Sequence, residues 1–122
     1  MMTKWLLNKV RDAIVDSSTT IGSEPTHISF GTGTTGETED DTELDTEYVR
    51  KVIERIDDTI DNKIVIYCTL DTSEGNTTIR EFGLHDASSG GNMHLREVLP
   101  VAYTKTSSVE IRLILSVTLE SV

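Results

Sequence analysis

Asp41, Glu43 and Asp45 stand at i, i+2 and i+4, a spacing by which alternate side chains of one loop can converge on a hard cation such as calcium. An EF-hand counted from Asp41 would need Gly at its sixth position and Glu at its twelfth. Those places hold Thr46 and Val52, so the pattern is compatible only with a looser site, for instance between subunits, or with a solvated loop. Gly31, Gly33 and Gly36 spell a GxGxxG after a short predicted strand, as a dinucleotide fingerprint requires. Where the phosphate-binding helix should begin, however, stand Glu37, Glu39, Asp40 and Asp41, which repel phosphate, and the glycines read as a flexible turn. His27, His85 and His94 show no HxH or HExxH spacing and read as surface or edge-strand residues. No serine occupies a GxSxG elbow. Cys68 falls on the inward face of a predicted strand, where a thiol behaves as an inert hydrophobe. These residues predict neither catalysis nor a bound cofactor.

The 122 residues suit a single core. With 21 acidic against 11 basic residues, the formal net charge is −10, which disfavours nonspecific binding to nucleic acid or anionic lipid. No apolar run approaches the roughly 18 residues of a membrane span, and the amino end lacks a secretory apolar region. A single cysteine excludes an intrachain disulfide and a cysteine-based zinc cluster. Lysine is scarce, threonine abundant and carboxylates numerous. Such a surface suits concentrated salt, where screening relieves self-repulsion; an ordinary acidic protein is the alternative.

The elements that must position these groups follow from periodicity. Thr3 to Asp16 predicts a helix with Trp5, Leu6, Val10, Ala13 and Ile14 on one side, Thr3 as N-cap, and Ser17-Ser18-Thr19-Thr20 as its stop. A helix this short is marginal alone in water, so the stripe of Trp5, Leu6, Val10 and Ile14 must dock on its own domain or on a neighbour. Residues 1–18 are therefore read as a helix making assembly contacts, and 19–122 as one β-rich domain. His27 to Phe30 is a short strand. The segment 37–47 holds seven carboxylates in eleven residues with no basic partner, and reads as an exposed acidic loop.

Val49, Val52, Ile53, Ile56 and Ile60 fit helical spacing, but their β-branching and the turn chemistry at Asp57-Asp58 and Asp61-Asn62 favour a hairpin. Ile64, Ile66, Cys68 and Leu70 alternate as a half-buried strand. Another strand covers Thr77 to Leu84, and a turn follows at Asp86 to Asn92. Met93, Leu95, Val98 and Leu99 then form a strand that Pro100 terminates or bends. From Val109 to Leu119 every odd position is apolar, and slipping that strand by one residue would put six large hydrophobes into water. The fold class is mainly β: a small antiparallel β-sandwich with an amino-terminal amphipathic helix.

The stretch Ile79-Arg-Glu-Phe-Gly-Leu84-His-Asp-Ala-Ser-Ser-Gly-Gly-Asn-Met-His-Leu-Arg96 resembles the tail-attaching domain of tailed-phage tail fibre and tail-collar proteins. Lys105-Thr-Ser-Ser-Val-Glu-Ile111 is similar to that family's entry to its long final strand. Ile28-x-Phe30-Gly-Thr-Gly33, Leu44 and the Glu47-x-x-Arg50 pair occur upstream in the expected order, so the resemblance spans about residues 27–119. It makes Arg50, Glu81, Gly83 and Leu84 the core of the motif. It implies a structural, non-enzymatic virion protein of a tail, baseplate or fibre-attachment assembly, made in the host cytoplasm. Its partners would be its own copies, as a homotrimer, and other virion tail proteins, with no nucleic acid, membrane or small-molecule substrate.

Because a fibre protein would continue into a shaft beyond Val122, a short adaptor or anchor is the expected role. A capsid decoration or turret protein, and a calcium-dependent β-type binding module, are the alternatives. Gly83 in mid-strand suggests a bulge or a close approach by another backbone. Glu81 between apolar neighbours needs a cationic partner if buried, and Arg50 is the natural candidate. His85 stands where the family usually has Phe, which either weakens a core contact or moves the side chain to the surface. The long last strand offers an edge open to augmentation.

Overall fold

Two antiparallel sheets and one helix make up residues 1–15 and 22–120, the part described by this computed structural model. Helix α1 (Lys4–Val15) is followed by strands β1 (His27–Gly31), β2 (Glu47–Val52), β3 (Arg55–Asp57), β4 (Lys63–Leu70), β5 (Thr78–His85), β6 (Met93–Thr104) and β7 (Ile111–Thr118). The first sheet has the order β2-β1-β5-β6 and the second β3-β4-β7. The mainly-β class with one amino-terminal helix is as the sequence predicts. The predicted stop at residues 17–20 lies outside the described residues, as does the end of the helix at Asp16.

Between Tyr48 and Leu70 the β reading holds, but the strand is divided between the sheets. β2 pairs with β1. At Ile53 and Glu54 the chain crosses over, Ile53 N donating to Thr26 O (2.8 Å) and Glu54 N to Tyr67 O (2.9 Å). β3 and β4 then form the hairpin, with Ile56 opposite Ile66. Asp57 Oδ1 accepts from the amide and the hydroxyl of Thr59 to open the turn, and Asn62 at φ 51° closes it. Asp86 closes the β5–β6 turn in the same style, accepting from the Asn92 amide (2.7 Å) while Gly90 and Gly91 take positive φ.

Ile28, Phe30, Phe82, Leu84 and Leu95 of the first sheet meet Ile66, Cys68 and Leu70 of the second in one buried cluster. Cys68 points inward as expected, and burial pushes its thiol pKa up to about 11. Ile64 lies at the exposed end of β4 rather than in the core. In β7 the predicted alternation is present, yet Ile111, Leu113, Leu115 and Val117 are only half-buried, because the strand lies at the edge of its sheet. Pro100 does not terminate β6. The register jumps between Ile79↔Tyr103 and Glu81↔Val98, and this bulge absorbs the missing N–H of the proline.

The amino end closes part of one sheet edge. Thr3 N donates to His94 O (2.9 Å), Arg96 N to Met1 O (3.0 Å), and Met2 bridges Leu95. Thr3 caps the helix as predicted, its hydroxyl accepting from Leu6 N (3.4 Å), and that hydroxyl also donates to Met93 O (2.5 Å). Only the first turn of α1 is seated on the body. Trp5 and Leu6 are half-buried, whereas Leu7, Val10, Ile14 and Val15 are exposed, Ile14 at 78%.

Candidate functional site

Strand pairing places Ser29 opposite Gly83 and Gly83 opposite Arg96. The alternation that sends Phe30, Phe82 and Leu84 into the core therefore sends Ser29, Glu81, Gly83, His85 and Arg96 to the outer face of the first sheet. An outer face is normally wet. Here Ser29, Glu81, His85, His94 and Arg96 are all buried, because the segment between β1 and β2 folds across them.

Glu81, at 0% exposure, is the centre of this layer. Its Oε2 accepts from Gly33 N (2.6 Å) and Thr46 N (2.9 Å), and its Oε1 from Asp45 N (2.8 Å) and Arg96 Nε (3.0 Å). Four donors occupy the roughly four lone-pair positions of a carboxylate, so the group is held and has no acceptor capacity left over. Gly31 and Gly33 are required by this approach. A Cβ at Gly31 would collide with Thr46 O and the Glu81 side chain, and one at Gly33 with Glu81 Oε2 and Asp45 Cβ. The glycine motif thus wraps a carboxylate of its own chain. It is a packed cradle rather than the flexible turn predicted, although Gly36 has open space around it.

Arg96 continues the network: Nη1 donates to Asp41 Oδ2 (2.9 Å) and Nη2 to Thr35 O (2.7 Å). Burial opposes its charge, but hydrogen bonds and attraction to Glu81 and Asp41 outweigh it and hold the pKa above the ordinary value. Burial likewise opposes the charge of Asp41. The Thr38 amide, Arg96 and the Thr38 hydroxyl prevail, keeping the carboxyl below the usual range.

The acidic segment is therefore not a solvated loop without basic partners. Two of its cations come from distant elements, Arg96 to Asp41 and Lys4 to Asp40 (2.7 Å), and a third, Arg50, pairs with Glu47 three residues away on β2 (2.7 Å). Glu37 also accepts from Val98 N (3.1 Å), and Leu44 is buried beside Gly83. Asp41, Glu43 and Asp45 do not converge. Asp41 is taken by Arg96, Asp45 Oδ2 accepts from the Thr35 hydroxyl (3.0 Å), and Glu43 is exposed. Among the described residues no group of three His, Cys, Asp or Glu side chains could hold a metal ion.

Three further expectations change. Arg50 is not the partner of Glu81: its Nη1 donates to Ala87 O and Gly90 O (both 2.9 Å), clamping the β5–β6 turn, while Glu47 takes its other side. Gly83 is neither bulged nor approached by backbone, since the atoms a Cβ would meet are side chains of Leu44, Met93 and His85 at 3.0–3.1 Å. His85 and His94 are buried rather than superficial. His85 Nε2 bonds Ser29 Oγ (2.6 Å), and His94 stacks on Trp5 with ring centroids 5.0 Å apart. His85 Nδ1 and His94 Nε2 find no partner among the described residues. Burial, then the nearby Arg50 charge, pushes His85 down to about 4, and burial lowers His94 as well.

Arg96 is the functional residue that sequence reasoning missed. A regular hairpin about the Asp86–Asn92 turn would set Leu95 opposite Gly83; the register shift between Leu84 and His85 puts Arg96 there instead, on the same face as Glu81 and diagonal to it.

Arg96→Met strands the Glu81 charge, and urea unfolding followed by circular dichroism should show a loss of about 3–5 kcal/mol, as for other broken buried pairs; a loss under about 1 kcal/mol would show that the pair does not hold the segment. In the same assay Gly33→Ala should destabilise by more than about 1 kcal/mol, while Gly36→Ala should stay within about 0.5 kcal/mol of the parent. Equal behaviour of the two would return the motif to a flexible turn. Unfolded His85 takes a proton near pH 6.5 and folded His85 only near 4, so stability present above 6.5 should fall by about 2–3 kcal/mol as pH drops through that window. Melting curves of His85→Gln should lose most of that slope, with His94 supplying the remainder.

No curated protein matches the chain. A family model described as podophage GP4 fiber I protein gp80 matches residues 1–116. That span takes in α1, the covering segment and both sheets except the last two residues of β7. By this match the chain belongs to the podophage GP4 fiber I protein gp80 family, structural tail-fibre proteins of the virion.

Proposed function

We propose that, within the tail-fibre apparatus of its family, this chain is a non-enzymatic adaptor or anchor: a rigid β-domain that holds other tail proteins through its amino-terminal helix and associates with its own copies as a homotrimer. The observation that supports this reading most directly is the state of α1. A helix of 12 residues is marginal alone in water, yet past its first turn it presents Leu7, Val10 and Ile14 outward. Trp5 and Leu6 seat the near end of the helix on β6, and Val10 and Ile14 form the far part of the same stripe. The residues proposed for assembly contact thus divide into two holding the helix and two facing a partner. Charge favours an acidic or neutral partner, since α1 carries Lys4, Lys9 and Arg11 against Asp12 alone. The covering segment serves this role by fixing the body against which the helix is set. Arg50, Glu81, Gly83 and Leu84 act here as framework, keeping the two sheets and the segment in one arrangement.

The double variant Val10→Glu, Ile14→Glu alters only exposed positions and should melt within a few degrees of the parent. It should lose co-sedimentation with purified tails, or incorporation into particles when supplied in place of the parent chain. Full incorporation of a correctly folded double variant would overturn the role given to the helix.

A further inference from the structure

Between β6 and β7 the two sheets part, leaving an apolar cleft of about 360 Å³ lined by Phe82, Leu99, Tyr103, Ile111 and Leu113 among others. The strands flanking it are the last of each sheet, β6 in the four-stranded one and β7 in the three-stranded one. Met1 to Thr3 cover the first half of β6, and Val101 and Tyr103 in its second half are 78% and 44% exposed. β7 pairs with β4 in eight consecutive positions and, among the described residues, no strand pairs with its other edge; Ile114 at its middle is 57% exposed.

Lone edges are normally protected by a proline, a lysine, a bulge or a covering element. β7 has no proline or lysine, no break in register, and a single charge, Arg112, near one end. The stretch of chain that carries both edges is equally poor in charge, although exposed Arg80 on β5 and Arg55, seated over Tyr67 opposite Ile114, lie on the neighbouring strands. Between Val98 and Thr118 the only charged residues are Lys105, Glu110 and Arg112, a net of +1 in a chain whose formal net is −10. Lys105 is itself buried, its Nζ donating to Asn76 Oδ1 (2.8 Å), so it offers little to a partner.

We propose that this face joins copies of the chain: β7 of one copy pairs edge-on with an edge strand of the next, and Val101, Tyr103 and Ile114 are covered in the process. A second copy is the occupant that the charge distribution selects. Two chains of net −10 repel over most of their surfaces, because like charges set face to face are costly. They approach with least opposition through this exposed and nearly uncharged stretch. A strongly charged partner would find no complement there. Depletion of charge with an exposed aromatic residue is also the composition of interface cores. The inference rests on the self-association proposed above, and it assigns that contact to β7, leaving α1 to other tail proteins.

Light scattering coupled to size exclusion, on the full chain over a range of concentrations, tests it. The parent should self-associate. Ile114→Lys on β7 and Val101→Lys on β6 should each weaken association at least tenfold with melting unchanged. Ile60→Lys, an exposed apolar position in the β3–β4 turn (47%), should leave association as it was. Hydrogen exchange of the β7 amides should slow as the parent is concentrated, with no such dependence in Ile114→Lys. Undiminished association of both lysine variants on this face would overturn the proposal while self-association stands. A parent that is monomeric at every concentration would remove self-association itself.

Discussion

A single ionised carboxylate without solvent dictates much of this molecule. Taking an ion the size of the Glu81 side chain out of water costs several kcal/mol even after relaxation, and only a complete set of donors offsets it. Three of the four donors are backbone amides, of Gly33, Asp45 and Thr46, from the two ends of the segment that joins β1 to β2. The fourth is the guanidinium of Arg96. The segment cannot lift away without stripping Glu81 of three of its four donors and Arg96 of its Asp41 and Thr35 acceptors, which is why a stretch with little apolar residue of its own has a defined path. Its mutual repulsions are weak by comparison. Two charges about 4 Å apart interact with roughly 1 kcal/mol in water and about 4 kcal/mol near a protein surface. A few partly buried attractions therefore outweigh many exposed repulsions.

The same strand that supplies Arg96 positions the amino end. Met1 and Thr3 bond the backbone of β6 at Arg96 and His94, and Trp5 stacks on the His94 side chain. Lys4 reaches Asp40 of the covering segment, and its amide donates to Glu39 O (2.6 Å). The direction in which α1 leaves the body is thus set by contacts to both β6 and the segment, and the segment is set by Glu81. Exposed ion pairs such as Lys4–Asp40 add little energy alone. Their contribution is to orientation, on top of a backbone ladder already formed at Met2 and Leu95.

How much of this the sequence discloses depends on whether a feature is local or cross-strand. Cys68 inward, the Asp86–Asn92 turn, the Thr3 cap and the alternation of β7 are local, and each is legible from period or turn chemistry. The division of residues 47–57 between two sheets is not, because both halves have the same β-branched composition and only pairing partners separate them. The Arg50 error has the same origin. Arg50 lies opposite Ser29 on β2, with β1 between it and β5, so it is about two strand spacings, near 10 Å, from the Glu81 strand. Arg96 is on the adjacent strand. The burial of the histidines was illegible for a related reason: Trp5 stacks on His94, and the segment over the sheet, whose composition alone argues for solvent, is brought down by bonds to Glu81 and Arg96 on distant strands.

The polar character of the covered face has a structural consequence that an apolar one would lack. An apolar lid on an apolar sheet could slide by a residue at small cost, since hydrophobic contact is non-directional. A carboxylate with four directed donors permits one register, because any shift leaves a buried group unpaired. Ser29–His85 and Arg50 on the Ala87 and Gly90 carbonyls impose further directed contacts across β1, β2 and the β5–β6 turn. These directed contacts keep the helix seated on one strand and the edge of another in a fixed relation. In this chain that relation passes through β6, which holds the amino end at Met93–Arg96 and runs on past the bulge to the exposed stretch ending at Thr104.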